Sequence, residues 1–247
     1  MRKLALACVS VLAVSAVAFG ALAAKGSMGK PPAYIFTALG DKSRPAADVA
    51  LDAARKPADT VAFAQVRPGD KVGELLPGAG YFTNILADVV GPGGHVYAMT
   101  TEKGVARLQP VLDAHKNVTA IAGAVDDPKL PDGLDVVWTT QNYHDMHNNG
   151  LQVARVNADA FKALKPGGVY FVLDHAAAPG SGAADTNTLH RIDPAVVKSE
   201  VEAAGFKLEA EGAFLRNPAD DHTLKVFDDK IRHHTDQFAF RFRKPKH

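Results

Sequence analysis

The stretch Lys71 to Thr83, KVGELLPGAGYFT, constrains the fold of this chain more than any other. A short apolar run carrying an acid, Val72-Gly73-Glu74-Leu75-Leu76, breaks at Pro77 and passes through Gly78-Ala79-Gly80 into an apolar, helix-compatible segment. That is the pattern of a strand, a tight turn and a helix. Glycines at such a turn let the backbone approach a ligand with no Cβ in the way. The helix that follows offers free N–H groups and the positive end of its dipole.

Downstream the chain alternates at βαβ spacing. Tyr81 to Val90 reads as a helix closed by Gly91-Pro92-Gly93-Gly94, His95 to Thr100 as a second strand, and Val105 to His115 as a helix weakened by Pro110. Val118 to Ala122 and Leu134 to Thr140 read as the third and fourth strands, and Leu151 to Leu164 as an amphipathic helix ended by Lys165-Pro166-Gly167-Gly168. Val169 to Asp174 is a fifth strand, apolar enough for burial on both faces. A doubly wound, mainly parallel α/β sheet follows, with ligands expected beyond the carboxyl ends of its strands. In the last third, His175 to Asp193 reads as a loop, Pro194 to Ala204 as a helix, Phe206 to Phe214 as a strand, and Gln237 to Arg243 as an edge strand. Before the turn, Arg44 to about Pro57 and Ala58 to Gln65 read as two helices.

Three nucleotide-binding patterns use a glycine turn after a first strand. A nucleoside triphosphate loop ends in Gly-Lys-Ser/Thr, but Gly80 is followed here by Tyr81, Phe82 and Thr83, with no lysine. A dinucleotide fingerprint requires a third glycine for close helix packing, and Thr83 occupies that position. The remaining pattern is an acid near the strand end followed by Gly-x-Gly, with Glu74 four residues before Gly78.

With these motifs the sequence resembles the class I S-adenosylmethionine-dependent methyltransferases, and among them a group of exported bacterial predicted methyltransferases. The resemblance runs from about Arg44 to Pro245 through RPAADVALDAARKP, VGELLPGAGYFT, LDVVWTTQNYHDMHN, LKPGGVYFVLDHAA and LHRIDPAVVKSEVEAAGF. It implies a Rossmann-like seven-stranded sheet, mostly parallel with the last strand antiparallel, and S-adenosylmethionine as cofactor. Carried over residue by residue, Glu74, Pro77, Gly78, Ala79 and Gly80 match the motif that cradles the cofactor's methionine part and ribose. Leu76 stands where the commonest loop has glycine. Thr100, with Glu102 two residues on, stands where an acid usually grips the ribose hydroxyls, and Asp126 or Asp127 stands where many members hold the adenine amino group.

The stretch Asn142-Tyr143-His144-Asp145 leaves the fourth strand at the carboxyl edge of the sheet. Methyl transfer needs alignment, exclusion of water and at most one base. Because imidazole titrates near neutrality, His144 is the leading base, with Tyr143 and Asp145 as further catalytic candidates and Asn142 orienting substrate or cofactor. His175, His190 and Arg191 are candidates for binding substrate, Arg191 through an anionic group or else as the salt bridge that orders its loop. No metal site is assigned: His144-x-x-His147, with His175 or His190 as a third ligand, lacks the glutamate of His-Glu-x-x-His.

The function implied is methyl transfer to a small-molecule or lipid-like acceptor; the alternative is an exported, non-catalytic binding protein with a degenerate methyltransferase fold. With 28 basic against 27 acidic residues in 247, there is no electrostatic footprint for nucleic acid. Arg2-Lys3, the apolar run Leu4 to Leu22 and the ending Ala21-Leu22-Ala23 read as a signal peptide over residues 1–23, which implies export, with the bacterial periplasm as destination and no stable membrane span after cleavage. An uncleaved anchor is the alternative. Residues 24–43 are expected as a linker and 44–247 as one domain. The single cysteine, Cys8, falls in the signal segment, which leaves no disulfide or thiol chemistry for the rest.

Overall fold

A computed structural model describes residues 29–148 and 150–247; the expected signal peptide lies outside the described residues. Seven strands form one sheet in the order β3-β2-β1-β4-β5-β7-β6: β1 Lys71–Leu75, β2 His95–Thr100, β3 Val118–Ala122, β4 Leu134–Thr140, β5 Leu164–His175, β6 Lys207–Gly212 and β7 Gln237–Arg243. The first five strands are parallel, and β7 inserts antiparallel between β5 and β6. Helices cover both faces: α1 Ala33–Leu39, α4 Pro57–Ala64, α5 Tyr81–Val90, α6 Glu102–Ala114, α7 Val153–Ala163 and α8 Pro194–Ala203, with the short turns α2 Ala46–Val49 and α3 Asp52–Arg55 before α4. Successive residues of β4 supply the two cores, since Trp138 packs with Phe82 and Phe171 on one face and Val137 with Tyr170 and Val172 on the other. The near-continuous apolar runs of β4 and β5 follow from this burial on both sides.

Three expectations are corrected. Residues 33–39, expected in a linker, form α1, which buries Ile35 and Ala38 against the core with Tyr34 and Leu39 packed beside them, a face that the glycine and proline before it obscure. The helix expected from Arg44 to Pro57 is divided into α2 and α3, and Lys56 leaves α3 with φ 44°. Lys165 to Gly168, expected as a stop, is an irregularity within β5, because Leu164 pairs with Leu134 and Val169 with Val136. Pro110 does not end α6: Leu108 and Val111 bury on the sheet side, and this tertiary packing outweighs the lost hydrogen bond.

Two local devices aim the strand ends. Gly80 has φ 93°, and a Cβ there would lie 2.5 Å from Val111 Cγ2 and 3.2 Å from Leu108 Cδ2, so the turn packs directly on α6. At the other end, Arg44 bonds Asp52 through both guanidinium nitrogens, at 2.9 and 2.7 Å, and Asp52 also accepts from Tyr81 Oη at 2.7 Å. This network ties the segment before α4 to the first residue of α5.

The long connection from β5 to α8 is ordered by Arg191, whose side chain is fully buried. Its guanidinium donates to Asp220 at 2.8 and 3.1 Å and to the carbonyls of Ala176 and Leu224. Arg191 is therefore the internal salt bridge, and its role in holding an anionic substrate is corrected: all three of its nitrogens are bonded inside the protein and its side chain is fully buried.

Two outcomes are expected in urea denaturation. Gly80→Ala lowers stability by at least about 1–2 kcal/mol, from the left-handed backbone alone, because alanine has to adopt a positive φ and displace Val111. Arg191→Leu leaves Asp220 buried without its partner and costs about 3–5 kcal/mol; a loss below about 1 kcal/mol would show that the pair does not hold the loop.

Candidate active site

The carboxyl ends of β1, β2 and β4 open into a cavity of about 590 Å³, a volume in the range of small-molecule sites. Glu74, Leu76, Pro77, Gly78, Ala79, Thr100, Asn142 and Asp145, all expected at the site, line it. Gly78 has φ 64°, and a Cβ built on it meets no atom within 4 Å, so the turn presents bare backbone to open space, as a cradle for a ligand requires.

Glu74 is 1% exposed, and Thr83 Oγ1 donates to its Oε2 at 2.7 Å. Burial pushes the carboxyl up to about 7, against the opposing pull of the Thr83 bond. The residue that separates this turn from a dinucleotide fingerprint is thus the one that holds the acid in place. Leu76 adopts φ 53°, a backbone region that favours glycine, and its N–H donates to Met99 O at 2.9 Å. Keeping a leucine there costs about 1 kcal/mol. The conformation is buttressed by Asn142, whose Nδ2 donates to Leu76 O at 2.9 Å and Leu75 O at 3.1 Å, while its Oδ1 accepts from Thr139 Oγ1. Asn142 therefore positions the glycine turn from the neighbouring strand.

Thr100 reaches the cavity because residue 104 is glycine; a Cβ at Gly104 would collide with the Thr100 hydroxyl. Glu102 is exposed in the first turn of α6 and does not line the cavity, and neither does Asp126; Lys103 and Arg107 do. The i, i+4 spacing of these two cations on one helix was the available signal for them. Arg55 closes the opposite wall with its guanidinium 4.3 Å from the centre of the Tyr81 ring.

Beyond Asp145 lies a second group of polar side chains. A 3-10 turn, His144–His147, follows β4 and separates neighbouring residues. Tyr143 is fully buried, its Oη donating to Glu200 at 3.0 Å and accepting from Asn157 at 2.8 Å, so the catalytic expectation for it is replaced by a structural one. His144 is 2% exposed. Its Nδ1 lies 2.9 Å from Asp174 Oδ1, and its backbone N–H donates to Asp174 Oδ2 at 2.7 Å. Burial opposes the imidazolium, but Asp174 outweighs it and holds His144 above the ordinary histidine value. His144 Nε2 faces His190 Nδ1 at 3.3 Å and Asp145 Oδ1 at 3.4 Å. His175 points elsewhere, bonding Thr235 Oγ1 at 2.8 Å, and burial pushes it down to about 4. His147 pairs with Glu200 at 3.1 Å. His175 is thus turned away from the substrate position expected for it, and the neighbouring carboxylate of Asp174 is the group that reaches His144.

No family model matches the chain. Over 118 residues it is 30% identical to the ubiquinone/menaquinone biosynthesis C-methyltransferase UbiE of Burkholderia mallei, a match covering 47% of each chain. Over 68 residues it is 38% identical to a protein-L-isoaspartate O-methyltransferase of Ignicoccus hospitalis, covering 26% of this chain and 31% of that one. The chain thus spans less than half the length of these curated relatives. Among solved structures, a SAM-dependent methyltransferase from Aquifex aeolicus superposes with a TM-score of 0.58 at 18% identity, over 85% of this chain and 96% of the other. An arsenic(III) S-adenosylmethionine methyltransferase from Chlamydomonas reinhardtii gives 0.55 at 17% identity, over 87% and 74%. Fibrillarin from Aeropyrum pernix, with natively bound S-adenosyl-L-methionine, gives 0.52 at 18%, over 78% and 76%. The chain has the fold of these Rossmann-like methyltransferases, with seven strands and the last antiparallel.

Proposed function

We propose that the protein is a class I methyltransferase that binds S-adenosylmethionine at the β1–α5 turn and passes its methyl group to a small-molecule or lipid-like acceptor. The observation that carries this reading is the turn itself. Gly78 leaves open space where a Cβ would stand, Glu74 waits behind it with a raised pKa, and both line a cavity of about 590 Å³. The names of the matched relatives and the cofactor bound in one structural neighbour point the same way. When bound, the cofactor supplies the methyl group on a cationic sulfur. Glu74, Gly78 and Thr100 would hold it, and a positively charged ligand would draw Glu74 into its ionised form. The acceptor would enter beside Asp145; with Nδ1 of His144 committed to Asp174, Nε2 is the nitrogen that would take a proton, in the neutral form of the ring.

The N-terminal pattern of Arg2-Lys3 and a following apolar run supports export to the periplasm, with residues 1–23 removed. No helix among the described residues is long and apolar enough to cross a membrane. A second reading, a binding protein that has lost the cofactor, is favoured by one observation: Leu76 projects a side chain into the cavity wall from a backbone suited to glycine.

Calorimetric titration of the purified protein with S-adenosylmethionine and S-adenosylhomocysteine separates the two readings. Saturable binding of both is expected, and its absence at millimolar ligand would falsify the enzyme reading. Leu76→Gly is expected to tighten binding several-fold by clearing the cavity wall, whereas Glu74→Gln is expected to weaken it about tenfold, the loss of one charge-assisted hydrogen bond.

Glu74 also predicts a pH dependence. Its folded value of about 7 exceeds the ordinary 4.5, so the folded protein binds more protons between these values. The stability that this group contributes is present below about pH 4.5 and lost as pH rises through about 7. Stability of the ligand-free protein should fall by about 3 kcal/mol across that window from this group alone. In Glu74→Gln that component should vanish; an unchanged slope would place the titration elsewhere.

A further inference from the structure

We propose that His144, Asp145 and His190 form a binding site for one divalent transition-metal ion of the zinc type, at the acceptor end of the cavity. Among the described residues they are the one group of three histidine and acidic side chains whose potential ligand atoms all lie close together. The three separations involve one atom from each residue: His144 Nε2 to His190 Nδ1 is 3.3 Å, His144 Nε2 to Asp145 Oδ1 is 3.4 Å, and His190 Nδ1 to Asp145 Oδ1 is 3.8 Å. A triangle of these sides has a point about 2.0 Å from every corner, the length of zinc–nitrogen and zinc–oxygen bonds.

The orientation of His144 agrees with this geometry. Asp174 is fully buried and lies on Nδ1 of His144, which makes Nε2 the nitrogen that turns inward, where a metal ion would bind in place of a proton. One long hydrogen bond of 3.3 Å joins the two rings, and the Asp145 oxygen stands too far from either ring for a strong hydrogen bond. Two ring nitrogens and a carboxylate oxygen therefore converge with only that weak contact among them. A cation at their centre satisfies all three. A carboxylate behind a ligating histidine is also the arrangement that orients metal-binding imidazoles.

The site is held before any ion arrives. His144 and Asp145 sit on the turn after β4, with the His144 backbone N–H also anchored on Asp174. His190 adopts φ 55°, next to the buried Arg191, and its ring packs 4.9 Å from that of Phe227. Three protein ligands of the two-histidine, one-carboxylate kind leave a coordination position free, as catalytic metal sites do, and Asp145 lies on the wall of the cavity. That position suits an acceptor with an oxygen, nitrogen or sulfur donor. Proton abstraction by His144 would draw on the same lone pair, so with an ion bound His144 is not the base; the ion would instead lower the pKa of a coordinated acceptor group, whose proton leaves to water. The metal site stands on its own geometry; only the acceptor class rests on the methyl-transfer reading.

The test uses protein purified without a histidine tag and stripped with a chelator, titrated with Zn(II) against a chromophoric competitor and with Co(II) by visible absorption. One ion per chain is expected, with the intense absorption of low-coordinate Co(II). His190→Ala and Asp145→Ala should each lose at least about tenfold in affinity, and Asp174→Asn about 10–100-fold. His147→Ala, whose ring pairs with Glu200, should bind as the parent does, and circular dichroism checks that each variant is folded. Failure of the folded parent to bind, or equal affinity in folded His190→Ala, overturns the site. Titration of the same stripped protein with S-adenosylhomocysteine keeps the readings apart: cofactor binding without metal binding defeats this inference alone, and metal binding without cofactor binding defeats the enzyme reading alone.

Discussion

The acceptor side of this molecule depends on one buried carboxylate. Asp174, next to last in β5, has no exposure to solvent and accepts from the backbone N–H groups of His144 and His175 and from the His144 ring. Burial alone would favour the neutral acid, but His144 holds the carboxyl below the usual aspartate range. A charge kept out of water demands these donors, and meeting the demand draws the loop after β4 against the end of β5. The same bonds turn Nε2 of His144 toward His190 and toward Asp145, which lines the cavity, and hence set what these neighbours can do.

The cofactor side is governed by backbone shape. Gly78 and Gly80 share a positive φ and use it differently: one opens space toward the cavity, the other brings the turn against Val111 and Leu108 of α6. Leu76 adopts the same region at a cost, held by Met99 on one side and Asn142 on the other. Strain supported from two neighbouring strands at a cavity wall is typical of functional loops. It also explains why a leucine survives in a glycine conformation without distorting the turn.

Much of the fold was legible because hydrophobic period and turn chemistry agreed. Helix α5 and strands β2, β3, β4 and β7 lie where alternation and glycine-proline punctuation place them. The stop expected at Lys165 to Gly168, which the structure corrects, and the helix expected through Pro110 share a physical origin. Pro110 and the Lys165 to Gly168 stretch look like breaks locally, yet packing and strand pairing carry α6 and β5 through them. At the site, Glu74, the glycine turn, Thr100 and Asn142 were legible as a motif. Tyr143, His175 and Arg191 were misplaced, because their type suits catalysis equally well whether the side chain faces a cavity or a buried partner.

The sequence by itself determined a βαβ alternation, a glycine turn behind an acid, and the cluster of histidines and acids after the fourth and fifth strands. These are properties of neighbours along the chain, where period and turn preference act. Tertiary structure alone decided that Thr83 holds Glu74, that Arg191 is spent on Asp220, and that His190 comes within 3.3 Å of His144 across 46 positions. Such pairings arise from the desolvation of charges and polar groups when the layers close. No local pattern encodes which partner each buried group will find.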